Sequence, residues 1–543
     1  MKPSAVPLLG TLPLIILWGL PLAGGLAAFA ASAADGAAWN SLLRHPQLAG
    51  ALLLSLWTGT AGLLLAILAA ITITMGYYGT PAWRRLQAAA AASLALPHLA
   101  FAIGFGFLIM PSGLLARVIA GGTEPPSWVT TQDPMGIALI AVLALKETPF
   151  LLAILWSLLA RGDVAAALGG QWRAARSLGH GTASVWLRVL LPQLLARMKW
   201  PLLIVWVYGA TVVDMALVIG PAQPPTLAVL VWADLNNAAA VINARGAAGA
   251  TLLTLVLAGL ATAAAALALP LRAALHRFMS AGPSLVTAQQ WPATLLTAFV
   301  ALTYGLVVMT LTLMSMAGHW PYPALVPELF RLSAWRQLAA DAAPLILSLS
   351  LALATSATAV TLAVAWFETM DERFDRWLTG LAVAALGLPA LAIAGGQYRI
   401  FLMLGLDGTL PGLFLAHLTA VFAYAVLVLR EPYRGFDRRF RAAAHGLNAG
   451  HWRFWHAVKL PLLKAPLLTA GAIGFSVSMA QFVPAQLIAA GRFSTLPMEA
   501  VTRASGGDRT LTAAFALALA LGPAIVFLLA AWAARPRWSQ PWS

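Results

Sequence analysis

The residues of this 543-residue chain that could do chemistry are few, and most of them interrupt long apolar runs. Lys146 and Glu147 are adjacent and followed by Thr148-Pro149. Asp214 stands midway along a later run, Gln481 interrupts another at nearly the same relative place, and Gln397 and Arg399 fall together in a third. If these runs cross a bilayer, a charge at mid-depth costs roughly 2.5–3.5 kcal/mol on insertion scales, so each group needs a partner or a purpose. Two readings are open. Polar groups within spans commonly bind helices to one another, and Asp214 or Glu147 could neutralise Arg399 or Lys146. Alternatively Asp214, Gln481 and Arg399, with Glu147 near them, line a polar pathway, and two acids there would suit a cationic solute. His98 and His417 are isolated and are expected to be hydrogen-bonded within a helical bundle rather than to bind metal.

An enzyme would need a convergent nucleophile and base, or a cluster of metal ligands. The chain has no cysteine, no His-Glu-x-x-His, no Gly-x-Ser-x-Gly and no Gly-x-x-x-x-Gly-Lys-Ser/Thr loop. No catalytic residue, metal site or cofactor is expected, and any ATP hydrolysis belongs to another polypeptide.

The elements that must position these residues are transmembrane helices. Hydrophobic residues make up 61% and charged residues 9%, against roughly 25% charged in an ordinary soluble domain. That excludes a soluble globule, a disordered chain and a nucleic-acid-binding surface despite the net charge of +15. Runs long enough to span predict twelve helices, at 8–31, 48–75, 86–110, 136–160, 202–222, 247–271, 293–317, 342–366, 378–404, 410–429, 465–490 and 511–534. None alternates as a barrel strand would, so the expected class is an all-α polytopic membrane protein. Ala31-Ser32-Ala33 resembles a signal-peptidase site, but the apolar run before it is too long for a signal peptide and reads as a retained first helix. With both termini cytoplasmic, the inside segments hold 23 of the 33 Lys and Arg, which satisfies the positive-inside rule in a cell inner membrane.

The chain is duplicated. Aligning 173–195 with 442–464, at an offset of 269, gives nine identities in 23 positions, among them Ala174/Ala443, Ala175/Ala444, Leu178/Leu447, Gly181/Gly450, Trp186/Trp455 and Pro192/Pro461. Leu96-Pro97 with Leu99-Ala100 recurs as Leu388-Pro389 with Leu391-Ala392. The halves, 1–278 and 279–543, therefore have six spans each, run parallel, and join near the Gly282-Pro283 turn. The matched segments lie in the two largest cytoplasmic loops, about 161–200 and 430–464.

Each loop opens with an Ala-rich helix, breaks at Gly179 or Asn448, and ends at Leu191-Pro192 or Leu460-Pro461 before the next span. Glycine takes the left-handed conformation freely, asparagine is among the few others that tolerate it, and the prolines fix where the next helix starts. A bent, partly apolar helix pair could rest on lipid headgroups. Its recurrence at the same place in each half favours docking on a two-fold partner instead.

These loops resemble the EAA loop of binding-protein-dependent ABC importer permeases, in which Glu-Ala-Ala, three residues, Gly and a later aliphatic-x-Leu-Pro recur at fixed spacing. The first loop reads Arg173-Ala174-Ala175, Gly179, Val189, Leu191-Pro192, and the second reads Ala442-Ala443-Ala444, Asn448, Val458, Leu460-Pro461. The chain is most similar to fused two-copy permeases of the ferric-iron and thiamine type and to the Ynj-type proteins. The resemblance implies a pathway subunit whose loops seat in a cytoplasmic ATPase dimer, which binds the ATP. It also implies a periplasmic solute-binding protein that delivers a small molecule or ion. The family's Glu is replaced by Arg173 and Ala442, so Arg173 would face a carboxylate and the second loop would rely on packing. A proton-coupled twelve-span transporter is the rival, but its prominent loop joins the halves, whereas here the large loops fall inside each half.

Overall fold

The computed structural model describes residues 11–535 apart from 121, 281 and 283. The first residues of the first expected span (8–10), and the Pro283 member of the joining turn, lie outside these. Nine helices among the described residues are long and apolar enough to cross a membrane, or up to twelve spans if three sharply bent helix pairs each count as one. The nine are Thr11–Ser32, Leu48–Tyr77, His98–Ile119, Ile137–Ala160, Ala240–Met279, Trp291–Ser315, Ala343–Thr369, Leu410–Arg434 and Arg509–Ala533. The bent pairs are Thr182–Arg197 with Lys199–Thr211 (68°), Glu372–Gly387 with Ala390–Leu404 (99°), and His451–Leu462 with Lys464–Met479 (69°). In the order of the twelve expected runs, the bent pairs hold spans 5, 9 and 11.

Four of the expected uninterrupted helices are broken. The run at 86–110 divides into Trp83–Leu94 and His98–Ile109, and that at 378–404 into Asp375–Gly387 and Ala390–Leu404. Both breaks fall on the Leu-Pro landmark shared by the halves. Proline supplies no N–H and drives its predecessor to extended backbone, as Leu388 adopts at φ −89°, ψ 146°. The run at 202–222 parts at Val212-Val213 into Lys199–Thr211 and Asp214–Ile219, and that at 465–490 parts into Lys464–Met479 and Val483–Ala489.

The described residues pack as two compact units, one drawn from within 1–34, 336–502 and 517–543, the other from 35–335 and 503–516. In the first unit, span 1 (Thr11–Ser32) lies on helices of the second half. Trp18 donates to the carbonyl of Thr419 at 2.9 Å and packs on Phe422. Gly25 faces Gly396 so closely that a Cβ on Gly396 would lie 2.7 Å from the Gly25 carbonyl carbon. In the second unit the reciprocal arrangement holds. Span 7 (Trp291–Ser315) lies on helices of the first half, with Val307 and Leu311 against Gly104 and Tyr304 against Phe101. The sequence repeats are thus units of homology whose leading spans have changed places in the packing. Small residues make these crossings possible, because lipid offers no hydrophobic drive and association depends on close backbone approach.

The duplication is visible in packing elsewhere. Ser55 of span 2 (Leu48–Tyr77) accepts a hydrogen bond from the Leu227 amide at 2.9 Å. Ser348 of span 8 (Ala343–Thr369) accepts one from the Leu496 amide at 2.8 Å. The pairs are related by offsets of 293 and 269, so spans 2 and 8 occupy equivalent places in their units.

Candidate functional site

The two loops fold alike. In the first, Gly162–Ser177 is helical, and Asp163 sits in its first turn, where a carboxylate suits the helix dipole. A hydrogen bond from Arg161 holds that carboxyl below the usual carboxylate range. The helix ends in a left-handed cap: Gly179 has φ +89°, its amide bonds the carbonyl of Arg176 at 3.1 Å, and the His180 amide bonds that of Ala175 at 3.1 Å. In the second loop Arg438–Gly446 ends the same way. Asn448 has φ +54°, its amide bonds the carbonyl of His445 at 3.0 Å, and the Ala449 amide bonds that of Ala444 at 2.9 Å. This paired pattern is a Schellman cap. The second alanine of each Ala-Ala pair is its far acceptor, which gives Ala175 and Ala444 a structural role. Arg173, Ala174, Ala442 and Ala443 face outward.

After the bend each chain makes one α-turn, Thr182–Val185 or His451–Phe454, then a π-turn, Trp186–Leu190 or Trp455–Lys459. The Leu191 and Leu460 amides reach back to Trp186 and Trp455, and Pro192 or Pro461 follows. A proline that cannot donate to the carbonyl four residues back, and whose ring collides with it, widens the preceding turn in this manner. The residue before each bend, Leu178 or Leu447, is 72% or 83% exposed. Two large apolar side chains are thus held in the open at matched bends.

The loops differ in what surrounds them. Gly181 lies against the segment joining the halves. Its amide bonds Ser284 O at 2.7 Å, the Ala288 amide bonds Thr182 Oγ1 at 2.7 Å, and Arg188 donates to Gly282 O at 2.9 Å. Gly450, at the homologous place, has nothing within 4 Å of where a Cβ would be. The anchoring tryptophans also differ. Trp186 is buried between Tyr78, at 5.6 Å, and Trp172, at 6.3 Å, with Tyr78 continuing to Trp83 and Trp156. Trp455 instead donates to Glu368 Oε1 at 3.0 Å, a carboxylate that also accepts from Lys459 at 2.6 Å and from Tyr433. Beside it, Arg434 forms a bidentate pair with buried Asp375 at 2.5 and 2.9 Å. Glu368 lies two residues beyond the run expected at 342–366, so its depth in the sequence does not single it out.

Within the second unit the intramembrane charges are divided by role. Lys146 is fully buried, and its ammonium caps the broken third span by donating to the carbonyls of Leu96 at 2.6 Å and Ser93 at 3.2 Å. Rings of Phe101 and Tyr304 face it at 5.7 and 5.5 Å. Lys146 is therefore helix glue. Glu147 points elsewhere, to His98 Nε2 at 3.1 Å. His98 packs on Tyr208, and the short helix that Asp214 opens after the Val212-Val213 break lies against the helix that His98 opens. The structure thus pairs Glu147 with His98 and places half-buried Asp214 on a neighbouring helix. In the first unit Gln481 sits in the equivalent break and donates to His417 O at 2.9 Å, while buried His417 shares a hydrogen bond with Ser478. Gln397 donates to Thr419 at 2.8 Å. Arg399 is half-buried in Ala390–Leu404.

Comparison with known proteins adds an independent observation. Residues 369–537 match the family model described as binding-protein-dependent transport system inner membrane component. The chain is 31% identical to the inner membrane ABC transporter permease protein YnjC of Escherichia coli K12 over 502 residues, 92% of this chain and 90% of that one. Over 123 residues, 23% of this chain and 47% of the relative, it is 22% identical to the spermidine/putrescine transport system permease protein PotC of the same organism. The putrescine permease protein PotI, also from that organism, is 28% identical over 86 residues, 16% of this chain and 31% of that one. With a bent loop repeated in each half and a relative matched along nearly its whole length, the chain belongs to the binding-protein-dependent ABC transporter permeases and is a permease subunit of an ABC importer.

Proposed function

We propose that the loops around Gly179 and Asn448 are the contacts through which a separate ATPase dimer drives this permease, and that a periplasmic binding protein supplies its solute. The observation that carries the proposal is the same Schellman bend and π-turn in both halves, each presenting an exposed leucine, Leu178 or Leu447. The chain itself is non-catalytic and holds no cofactor, ATP being bound and hydrolysed by the partner. It resides in the inner membrane with both loops and both termini cytoplasmic, an orientation supported by the positive-inside bias. Glu147, paired with His98, and Asp214, on a short helix packed against the one that His98 opens, favour a cationic solute. The relatives named for spermidine and putrescine carry polycations. The test is Leu178→Asp with Leu447→Asp in the tagged chain. Insertion into membranes is expected to be unchanged, while co-purification of a P-loop ATPase and its stimulated activity are lost. Retention of full ATPase activity in that variant would sink the docking role. Transport by the purified chain alone, in ATP-free vesicles under a proton gradient, would favour a secondary transporter instead.

A further inference from the structure

Three of the four residues that anchor the second loop have matched positions in the first, and the two sets differ in kind. The offsets fixed by the matching serine contacts and by the loops pair Glu368 with Met75, Trp455 with Trp186, and Lys459 with Leu190. In the first half Trp186 and Leu190 are buried together in one apolar cluster, and Met75 packs against it. In the second half the matched places are Glu368 at the cytoplasmic end of span 8 and Trp455 and Lys459 on the π-turn, joined by Tyr433 at the end of span 10 (Leu410–Arg434). One carboxylate oxygen gathers all three donors, and the Lys459 ammonium lies 4.2 Å over the Tyr433 ring. Arg434, next to Tyr433, extends the tie by donating to the carbonyls of Phe367 at 3.1 Å and Met370 at 3.0 Å.

Apolar contacts are non-directional and allow one surface to slide on another. Charge-assisted hydrogen bonds fix angle as well as distance. We infer that Glu368 is a positioning residue for transport, making the second loop move as one body with spans 8 and 10, while the homologous apolar contact leaves the first loop without a charge-assisted tie to span 2. The inference rests on the loops being the ATPase contacts, and it goes beyond that reading by making the two contacts mechanically unequal. A symmetric drive delivered by two identical ATPase subunits would then reach the membrane helices more directly through the second half.

The absence of cysteine allows spin labels at two introduced sites, Ala457→Cys on the π-turn and Leu353→Cys on the exposed flank of span 8. Their separation is measured by double electron–electron resonance in the complex with its ATPase in lipid nanodiscs, without nucleotide and with ATP plus vanadate. In the otherwise wild-type complex a single narrow distance is expected in both states. Glu368→Gln keeps the side-chain shape and removes the charge. It should lower the ratio of seated to unseated loop about tenfold or more, the worth of a hydrogen bond to a charged group, and make the distance depend on nucleotide. Should that variant fold poorly, Glu368→Met with Lys459→Leu installs the first half's own residues at the matched places, and Tyr433→Phe removes the hydroxyl that would lose its acceptor. Apolar replacement of a buried ion pair usually preserves stability. It should fold, retain the ATPase and show the same broadened distance. A single unchanged distance in Glu368→Gln and in the triple variant, with ATPase bound, overturns the inference alone. Failure of any ATPase to accompany the wild-type chain overturns the inference together with the docking role beneath it.

Discussion

Alanine at Gly181 and alanine at Gly450 should have opposite effects, although the two glycines are homologous and share one backbone conformation. Gly181 has φ −66°, ψ 159° and Gly450 has φ −63°, ψ 160°, angles any residue adopts. Alanine therefore strains neither backbone, and by restricting the unfolded chain it would stabilise each site by about 0.4–1 kcal/mol. At Gly450 nothing opposes this. At Gly181 the new Cβ would lie 2.6 Å from the Leu285 carbonyl carbon and nearer still to Val286 O. Those are backbone atoms, so no rotamer change relieves the overlap and the joining segment must lift away. Lifting it breaks the bonds from the Gly181 amide to Ser284 O and from the Ala288 amide to Thr182 Oγ1, at 2.7 Å each, and the longer one from the Ser184 amide to Val286 O at 3.4 Å. At about 1 kcal/mol apiece the loss is about 2–3 kcal/mol, which exceeds the entropic gain by about 1–2 kcal/mol. That difference corresponds to about a 5–30-fold rise in the open population of the segment. Hydrogen exchange read by mass spectrometry over peptides covering 284–290 in nanodiscs measures it directly. Gly181→Ala should exchange faster by that factor and Gly450→Ala should match wild type. Equal exchange in the two variants would refute the argument, because only the steric environment distinguishes them.

Two further outcomes follow from the geometry. Gly179→Val forces a β-branched residue to φ near +89° and should lower thermal stability by about 1–2 kcal/mol, whereas Asn448→Gly should leave it unchanged or slightly higher; a melting curve for each in detergent decides. Lys146→Met removes the donor from two carbonyls at the break in span 3 and should cost about 1–3 kcal/mol, seen as a lowered Tm. A wild-type Tm would instead make Lys146 a pathway residue.

What the sequence disclosed was what single residues and short spacings control. Apolar length fixed the positions of the spans, and the tolerance of Gly179 and Asn448 for positive φ fixed the two bends, both of which carry it. The Leu-Pro landmark was legible as a repeat but not as a helix break, since proline within a span can also be accommodated by a kink. The break at Val212-Val213 carries no proline and no local signal. Partner choice was beyond reach for a different reason. Nothing in an apolar run says which helix it will lie against, so the packing of span 1 on Ala390–Leu404 became evident only from Gly25 and Gly396 in contact. Glu147 is an intermediate case. Its need for a partner was plain from its depth, yet the adjacent Lys146 points to backbone carbonyls, and the group that meets Glu147 is His98, 49 residues away.

The comparison of the two loops separates what duplication has held constant from what it has let go. The bend, its two amide bonds, the π-turn and the outward leucine agree at every step, and all of these shape the outer surface. The residues behind that surface do not agree: an aromatic and aliphatic cluster stands behind Trp186, a carboxylate with three donors behind Trp455. Buried positions usually diverge less than exposed ones, because a core tolerates volume change poorly. Here the order is reversed, and the reversal has a physical reading. If one partner surface must accept both loops, the geometry of the exposed backbone is fixed from outside twice over. The interior has only to keep each loop seated on its own span, and either apolar burial or a satisfied ionic hub can do that. The same reasoning accounts for the loss of the family glutamate at Arg173 and Ala442. Both side chains are exposed on the face before the bend, and on the proposed docking a partner that meets that face would present a carboxylate to Arg173 and a flat apolar contact to Ala442.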